Sequence, residues 1–398
     1  MAAPRNQMSN ENPNAIAFSR MNAVRPVWTG MRRLSSLPGL SGRIILHAGP
    51  KFRDFSSIPV PVRNSLISII LREKWAENVE SAEMLLQDGS ISVEPAQEYN
   101  VYVPLAGAAG PSTMLIEVRD EAGDGAAYSP LNEGMELCTR LGILHPDLPA
   151  HLEWLDGVLA PWIDGLLTER PLPLGPVLRE AIAQQDDCHS CTVAGSRLLA
   201  AALLDRDGGR SNTSAIEAFL DGAPAFALNV WMAMCGLVAR AAAGVPGSTL
   251  VVNAGGNGVQ FGFRLAGDAS RWHVNPAPRI HGTVEPRFAG AEGLPALGDS
   301  AIVDVMGLGG QLLDQAVPVR EALAAHLPAG ITERPRKFLS GTLDLFGRLA
   351  ATDCSAVLGS SIGPVILLGM IDRLGERGRV GGGCVVTTGA DWAPGYAR

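Results

Sequence analysis

Residues 184–192 read QQDDCHSCT, so two carboxylates, two thiols and an imidazole fall within one short run. Three chemistries use such groups. Cys188 and Cys191 have the spacing of half a zinc site, and His189 could add a ligand. A closed zinc site needs four ligands, and the chain has no second CxxC and no HxxxH or HExxH. A redox dithiol normally opens a helix just after a strand, where the helix dipole lowers the thiol pKa. Here the preceding GPVLREAIAQQ has helical spacing instead. The third reading puts the run on a helix, where residues three and four apart share a face. Asp187, Cys188 and Cys191 then fall together, with His189 partly around the cylinder. A carboxylate beside a neutral imidazole holds the tautomer that proton transfer requires. Asp187, Cys188 and His189 are therefore the candidate catalytic residues, and a solvated helix end with a buried cysteine is the plain alternative.

Other stretches offer binding groups. VMGLGGQLLDQA, residues 305–316, reads as a strand end, a glycine turn and a helix start. Helix N-termini approached by glycines bind phosphate or carboxylate through free N–H groups, so Gly307, Gly309 and Gly310 are candidate phosphate ligands. A tight turn with no ligand has the same sequence. NAGGNGVQFGFR can be a hairpin turning at Asn257-Gly258, or it can bring Asn257 and Arg264 to an amide or carboxylate. Asn132 and Glu133 follow YSPL at a predicted helix start, where they cap the helix or touch substrate. GSSIG around Ser361 has the nucleophile-elbow pattern, but Pro364 follows and no partner is evident. Asp299 and Asp304 flank a predicted strand, and one acidic pair is too little for a metal. We expect no metal and no cofactor.

These groups need elements to position them. Residues 1–40 read as a lead-in, with helical spacing in AIAFSRMNAVRPVW up to Pro26. Residues 41–131 read as a first α+β domain: a strand in RIILHAGP, one long helix from about Val62 to Gln87, and strands including STMLIEVRD. Residues 132–246 read as a helical domain. Residues 247–398 read as a second α+β domain, with strands in STLVVNA, GVQFGFRLAG and RWHVNP. A Pro/Gly loop follows over 275–298, then a strand in SAIVDVMG and a helix from Gln311. The fold class is thus α+β, two mixed α/β regions separated by a mainly helical middle region. A shared pocket is expected at their junctions, with Asn132, His189 and Asn257 around it.

The 398 residues carry a net charge of −8, poor footing for a nucleic-acid binder, which needs a basic footprint. The longest apolar stretch, Ala223 to Ala239, contains Asn229 and ends at Arg240, so a buried helix is expected rather than a membrane span. Six scattered cysteines and a polar start point to a reduced cytoplasmic protein.

Several short motifs resemble the YlbE-like family of bacterial proteins, and they occur in that family's order. They are LHAGP (46–50), LNEG (131–134), DDCH (186–189), NG with FGFR (257–258 and 261–264), PAP (276–278), GDSAI (298–302) and GLGG (307–310). The family includes a subunit of the multi-subunit oxamate carbamoyltransferase of allantoin degradation. The resemblance implies transfer of a carbamoyl group between phosphate and a small amide or amine. It implies partner subunits, one similar to an acyl-CoA synthetase, and a homo-oligomer is possible. It adds Asn100 to Asn132, Glu133, Asn257 and Arg264 as substrate-binding candidates around the expected pocket. Cys191 stands where the family usually has a basic or polar residue, which favours the Asp187–Cys188–His189 cluster over either CxxC reading. Where the family carries histidines before Asn100, this chain reads QEYNVY, and a family Met-Cys-Gly-Pro turn is replaced by SIPVPVRN. A non-catalytic assembly subunit and a stand-alone amide-transferring or amide-hydrolysing enzyme are the alternatives.

Overall fold

The computed structural model describes residues 12–393. It is a mixed α+β structure with several small sheets and a helical middle segment. The first helix, Pro13–Ala23, is capped by the Asn12 side chain, which accepts from Asn14 N at 3.0 Å. Residues 26–33 are not part of a lead-in. They form an inner strand, Pro26–Arg33, of a four-stranded antiparallel sheet with Met114–Asp120 on one side and Leu172–Pro173 on the other. Trp28 is fully buried there. Gly30 bulges the strand at φ +146°, and a Cβ at that position would run into the Asp164 carboxylate. Asp164 Oδ1 instead accepts Met31 N at 2.8 Å.

Strand Ile44–His47 pairs parallel to Ser92–Pro95. The expected single helix between them is two, Val60–Arg72 and Val79–Gln87. The chain turns at Lys74, which has φ 58°. Asn78 then starts the second helix by accepting Ser81 N at 2.9 Å in a capping box. An Asn three residues before a Ser prefers that cap to a helix interior.

The middle segment holds six α-helices, from Leu148–Trp154 to Phe226–Arg240. A single π-helical turn, Leu155–Leu159, lies between the first two of them. The helix Phe226–Arg240 is apolar all round and buried on every face over most of its length, as such a pattern requires. Among the described residues no single helix is long and apolar enough to cross a membrane.

The strands Val251–Asn257, Gln260–Leu265 and Asp268–Pro276 form an antiparallel meander closed by Leu297–Gly298. The stretch 275–298 is not all loop, since His281–Val284 pairs with Arg379–Val386. SAIVDVMG is a buried helical turn, Ala301–Val305, and not a strand. Short apolar runs do not distinguish the two by pattern. No α-helix starts at Gln311; Gly309–Gln311 is one 3-10 turn, and the next helix is Val317–Ala322. One hydrophobic cluster runs from Ala17 to Trp392 and draws on every part of the described chain.

Candidate functional site

The run 184–192 is a loop between helices Leu174–Ala183 and Val193–Asp207, not a helix. Its acids are the reason. Asp186 accepts Ala194 N at 3.1 Å and Gly195 N at 2.7 Å, capping the following helix. Asp187 Oδ1 accepts His189 N at 2.6 Å and Ser190 N at 2.7 Å, and Oδ2 accepts the Ser190 hydroxyl at 2.5 Å. Asp side chains that bond nearby backbone N–H groups compete with helix formation. Cys188 sits at φ 68° inside this loop.

The His189 ring makes its hydrogen bond elsewhere. Its Nδ1 lies 2.6 Å from Asp304 Oδ2, across 115 residues of sequence. Asp304 is wholly buried and its other oxygen accepts Gly310 N at 2.9 Å and Leu367 N at 3.3 Å. Burial would lower the His189 pKa, but the Asp304 charge and hydrogen bond outweigh it and raise it. His189 retains 7% exposure, and its Nε2 makes no hydrogen bond to the described protein.

The glycine turn is spent on holding this pair. Gly307 N donates to Asp304 O at 3.0 Å, Gly309 N to Asp187 O at 2.7 Å, and Gly310 N to Asp304 Oδ1. No N–H of the three is free for phosphate. Gly309, at φ +55°, lies so close to the Asp304 carboxylate and His189 Cβ that any side chain would part them. Cys188 is fully buried, and burial, reinforced by Asp187 and Asp186, pushes its thiol well above the ordinary value. The Cys191 thiol is pushed up to about 11 by burial. Thiols so placed are poor nucleophiles. Among the described residues no group of three or more His, Cys, Asp or Glu could hold a metal.

None of the remaining candidates makes a hydrogen bond to His189 among the described residues. Asn132 lies in a loop, not at a helix start. Its Nδ2 donates to Ala225 O at 3.0 Å and Asn229 Oδ1 at 2.9 Å, and its Oδ1 accepts Gly134 N at 3.0 Å. Glu133 accepts Thr139 N at 2.7 Å and the Thr139 hydroxyl at 2.9 Å. The residue is partly exposed, but its carboxyl is enclosed and burial raises it to about 7. Asn132, Glu133, Thr139, Arg140 and Asn229 line a cavity of about 10 Å³, room for one water. Asn100, His189 and Asn257 are not on its wall.

Asn257 closes its own hairpin, accepting Gln260 N at 2.7 Å, and donates to Pro50 O at 2.8 Å. Arg264 pairs with Glu98 and lies 4.6 Å over the Trp272 ring. Asn100 adopts φ 58°, and its side-chain oxygen is buried without a partner among the described residues.

A second buried centre was not anticipated. Asp299 Oδ1 accepts Gly49 N at 2.8 Å and Gln97 Nε2 at 2.6 Å, and Oδ2 accepts Val103 N at 2.9 Å. Gln97 Oε1 accepts Asn253 Nδ2 at 2.7 Å. Burial raises Asp299 to about 7. The motifs LHAGP, QEYNVY, NAGGN and GDSAI thus meet at one carboxyl. Four separated polar motifs along the chain were the available signal, and no single one of them points to Asp299.

The profile of the family described as oxamate carbamoyltransferase subunit AllG matches residues 91–300, more than half of the chain. The chain belongs to this family. The matched span includes Asn100, Asn132, Glu133, His189, Asn257, Arg264 and Asp299 and stops just short of Asp304. Oxamate carbamoyltransferase subunit AllG of Escherichia coli K12 is 27% identical over 393 residues, 94% of this chain and 93% of that protein. The uncharacterized protein YahG of the same organism is 28% identical over 392 residues, 94% of this chain and 82% of its own length. A crystal structure of a conserved protein of unknown function from Enterococcus faecalis V583 superposes with a TM-score of 0.91 at 23% identity, over 98% of this chain and 97% of that one. It shares the AllG-family fold seen here.

Proposed function

We propose that this AllG-family chain is a subunit of a cytoplasmic carbamoyl-transferring complex. It would act on carbamoyl phosphate and a small amide or amine, with His189 moving the proton. The observation that carries this reading is the buried His189–Asp304 pair, whose outer nitrogen has no partner among the described residues. Asp304 favours the proton on Nδ1, which leaves the Nε2 lone pair as base. In transfer to an amine, the nitrogen bonds to the carbamoyl carbon and the carbon–oxygen bond to phosphate breaks. Phosphate leaves with the electron pair, and the N–H proton passes to His189 Nε2. The ligands for phosphate belong to another subunit on this reading, because the glycine turn 307–310 has no N–H to spare. An acyl-CoA-synthetase-like protein fits that part, and the subunit name of the Escherichia coli relative supports an assembly. Asn132, Glu133, Asn257 and Arg264 keep a substrate role only in so far as such an assembly opens their present bonds, whereas the Asn100 side-chain oxygen has none among the described residues. Cys188 and Asp187 become structural supports of the His189 loop.

The test is Asp304→Asn in the complex reconstituted with its partner subunits. An amide in place of the carboxylate no longer holds the Nδ1–H tautomer. Turnover should fall about a hundredfold or more, with its pH profile displaced and the complex intact on gel filtration. Unchanged turnover in an intact complex would leave the chain as an assembly subunit without chemistry of its own.

A further inference from the structure

The last turn of helix Phe226–Arg240 meets the strands Val251–Asn257 and Gln260–Leu265 beside Tyr102. Tyr102 is wholly buried, and its ring lies so close to Gly236 that any side chain there would collide with it. Arg240 follows four residues later, on the same face of the helix. Helical side chains lean back toward the N-terminus, which carries the Arg240 guanidinium toward the Tyr102 hydroxyl. Arg240 is accordingly the charged group that acts on that hydroxyl most strongly. Its Nη1 donates to Asn253 Oδ1 at 3.4 Å, and it forms no ion pair with a carboxylate among the described residues. Asn253 stands opposite Arg264 on the neighbouring strand, so a second guanidinium comes to the same place. Arg264 is buried, pairs with Glu98 and donates to Ala269 O at 3.3 Å.

Donors dominate this cluster. The Tyr102 hydroxyl and Arg264 Nε are both buried without a partner among the described residues, and buried donors left unpaired are costly. Burial pushes the Tyr102 hydroxyl up and the Arg264 guanidinium down; the Arg240 charge opposes the first shift and adds to the second. Like charges thus face one another across the phenol. Two acids lie within reach, and neither supplies what is missing. Glu98 neutralises Arg264 alone. Asp299 has its Oδ1 taken by Gly49 N and Gln97 Nε2 and its Oδ2 by Val103 N. One positive charge and two buried donors are left over, and their match is an acceptor with a single negative charge.

We propose that Tyr102, Arg240 and Arg264 form a binding site for a monatomic anion of the halide class, chloride under ordinary conditions. A hydroxyl with no exposed surface admits only a small guest, and a spherical acceptor takes hydrogen bonds from three elements at once. The bound ion ties the end of helix Phe226–Arg240 to the strand pair, and so couples the helical middle segment to the meander. It is a fixed structural ion, not a reactant. Neither His189 nor Asp304 supplies a donor to it, and its test is made on the chain alone, so it holds or fails independently of the carbamoyl-transfer reading.

The experiment is thermal unfolding of the full chain while sodium chloride replaces sodium gluconate at fixed ionic strength, on wild type, Tyr102→Phe and Arg240→Gln. Phenylalanine keeps the ring on Gly236 and removes only the hydroxyl; glutamine removes only the charge at the helix end. An ion that binds the folded chain raises its melting temperature by mass action, here by about 1–2 °C, and the rise levels off once the site is filled. Both variants should lose that rise. Crystals soaked in sodium bromide give a reading that needs no variant: an anomalous peak beside the Tyr102 hydroxyl and the Arg240 guanidinium. The same melting temperature in chloride and gluconate would overturn the proposal, as would a full chloride response in either variant. A bromide map without a peak at Tyr102 would overturn it as well.

Discussion

Asp299 lies in the turn just before the helical turn Ala301–Val305, Asp304 lies on it, and neither is exposed. Asp299 is surrounded by donors from Gly49, Gln97 and Val103, and every one of its contacts ties one stretch of chain to another. Asp304 spends one oxygen the same way, on Gly310 and Leu367, and gives the other to His189. The imidazole passes that charge on to a nitrogen that makes no hydrogen bond among the described residues. The difference teaches how to tell a structural carboxylate from one able to take part in chemistry. Both are buried and both are raised by burial, so burial and pKa do not separate them. What separates them is whether the hydrogen-bond chain ends inside the protein or at a group with capacity left over.

His189→Ala tests that distinction with the largest expected effect. Turnover per folded molecule of the reconstituted complex should drop by about a hundred- to ten-thousand-fold, the range for a positioned proton carrier, with some loss of melting temperature because the buried Asp304 oxygen loses its partner. A comparable melting-point loss with an unchanged rate per folded molecule would make His189 structural and erase the contrast. Asp299→Ala should do the opposite. Gly49 N and Val103 N lose the side chain they donate to, at about 1–3 kcal/mol for each buried group left unpaired. Chemical denaturation should show that loss, and a stable Asp299→Ala chain with impaired turnover would reverse the two assignments.

How far the sequence reveals this contrast depends on the range of each interaction. The helix Phe226–Arg240 is legible because its residues are apolar all round save Asn229 and the terminal Arg240. The hairpin Val251–Leu265 is legible because Asn-Gly marks its turn. The strand Pro26–Arg33 is hidden because its neighbours in the sheet, Met114–Asp120 and Leu172–Pro173, are distant in sequence. At the site, DDCH draws attention to the right loop but suggests the wrong acid. Asp187 is adjacent to His189 in sequence, yet its oxygens are taken by local N–H groups. Asp304 is 115 residues away, and its apolar surroundings read as a strand. Local bonding by Asp is legible as a turn signal; a long-range pairing is not.

Gly309→Ala probes how closely Asp304 and His189 must approach. The residue has φ +55°, and the added methyl would meet the Asp304 carboxylate and His189 Cβ. Backbone strain alone costs about 1–2 kcal/mol. Turnover should fall together with stability, because the methyl parts the pair. Equal turnover per folded molecule would show that the close approach is packing only.

A pH series separates the carboxyls with a smaller effect. Glu133 and Asp299 are raised to about 7, above their unfolded values. Between about pH 4.5 and 7 the folded chain therefore holds protons that the unfolded chain has lost, and these groups make stability fall as pH rises. His189, raised by Asp304, acts in the same direction: its contribution is present below the unfolded value and is lost as pH climbs through the folded one. His47 acts against them. It is lowered to about 4 by burial, so its contribution is lost as pH falls through 6.5 toward 4. Glu133→Gln removes one descending component. Its melting temperature should decline less steeply than wild type from pH 5 to 8, and an identical slope would mean that Glu133 is ionised throughout.

Cys188→Ala should have the smallest consequence, and it sharpens the comparison between nitrogen and sulfur in one loop. Cys188 is fully buried and its thiol is raised well above the ordinary range. The thiolate that would act as nucleophile is therefore scarce near neutral pH. The thiol's polar contact, Sγ to Asp186 O at 4.0 Å, is weak. Alanine at φ 68° is no more strained than the cysteine it replaces, so the backbone has no reason to move. What remains is a lost sulfur in a closed core, worth about 1 kcal/mol by the transfer of one buried group. Turnover of Cys188→Ala should stay close to wild type, with a small fall in melting temperature. A collapse of turnover with the fold intact would move the chemistry from His189 to Cys188. The Asp304–His189 pair would then serve to deprotonate the thiol, and the loop would have to open to expose it.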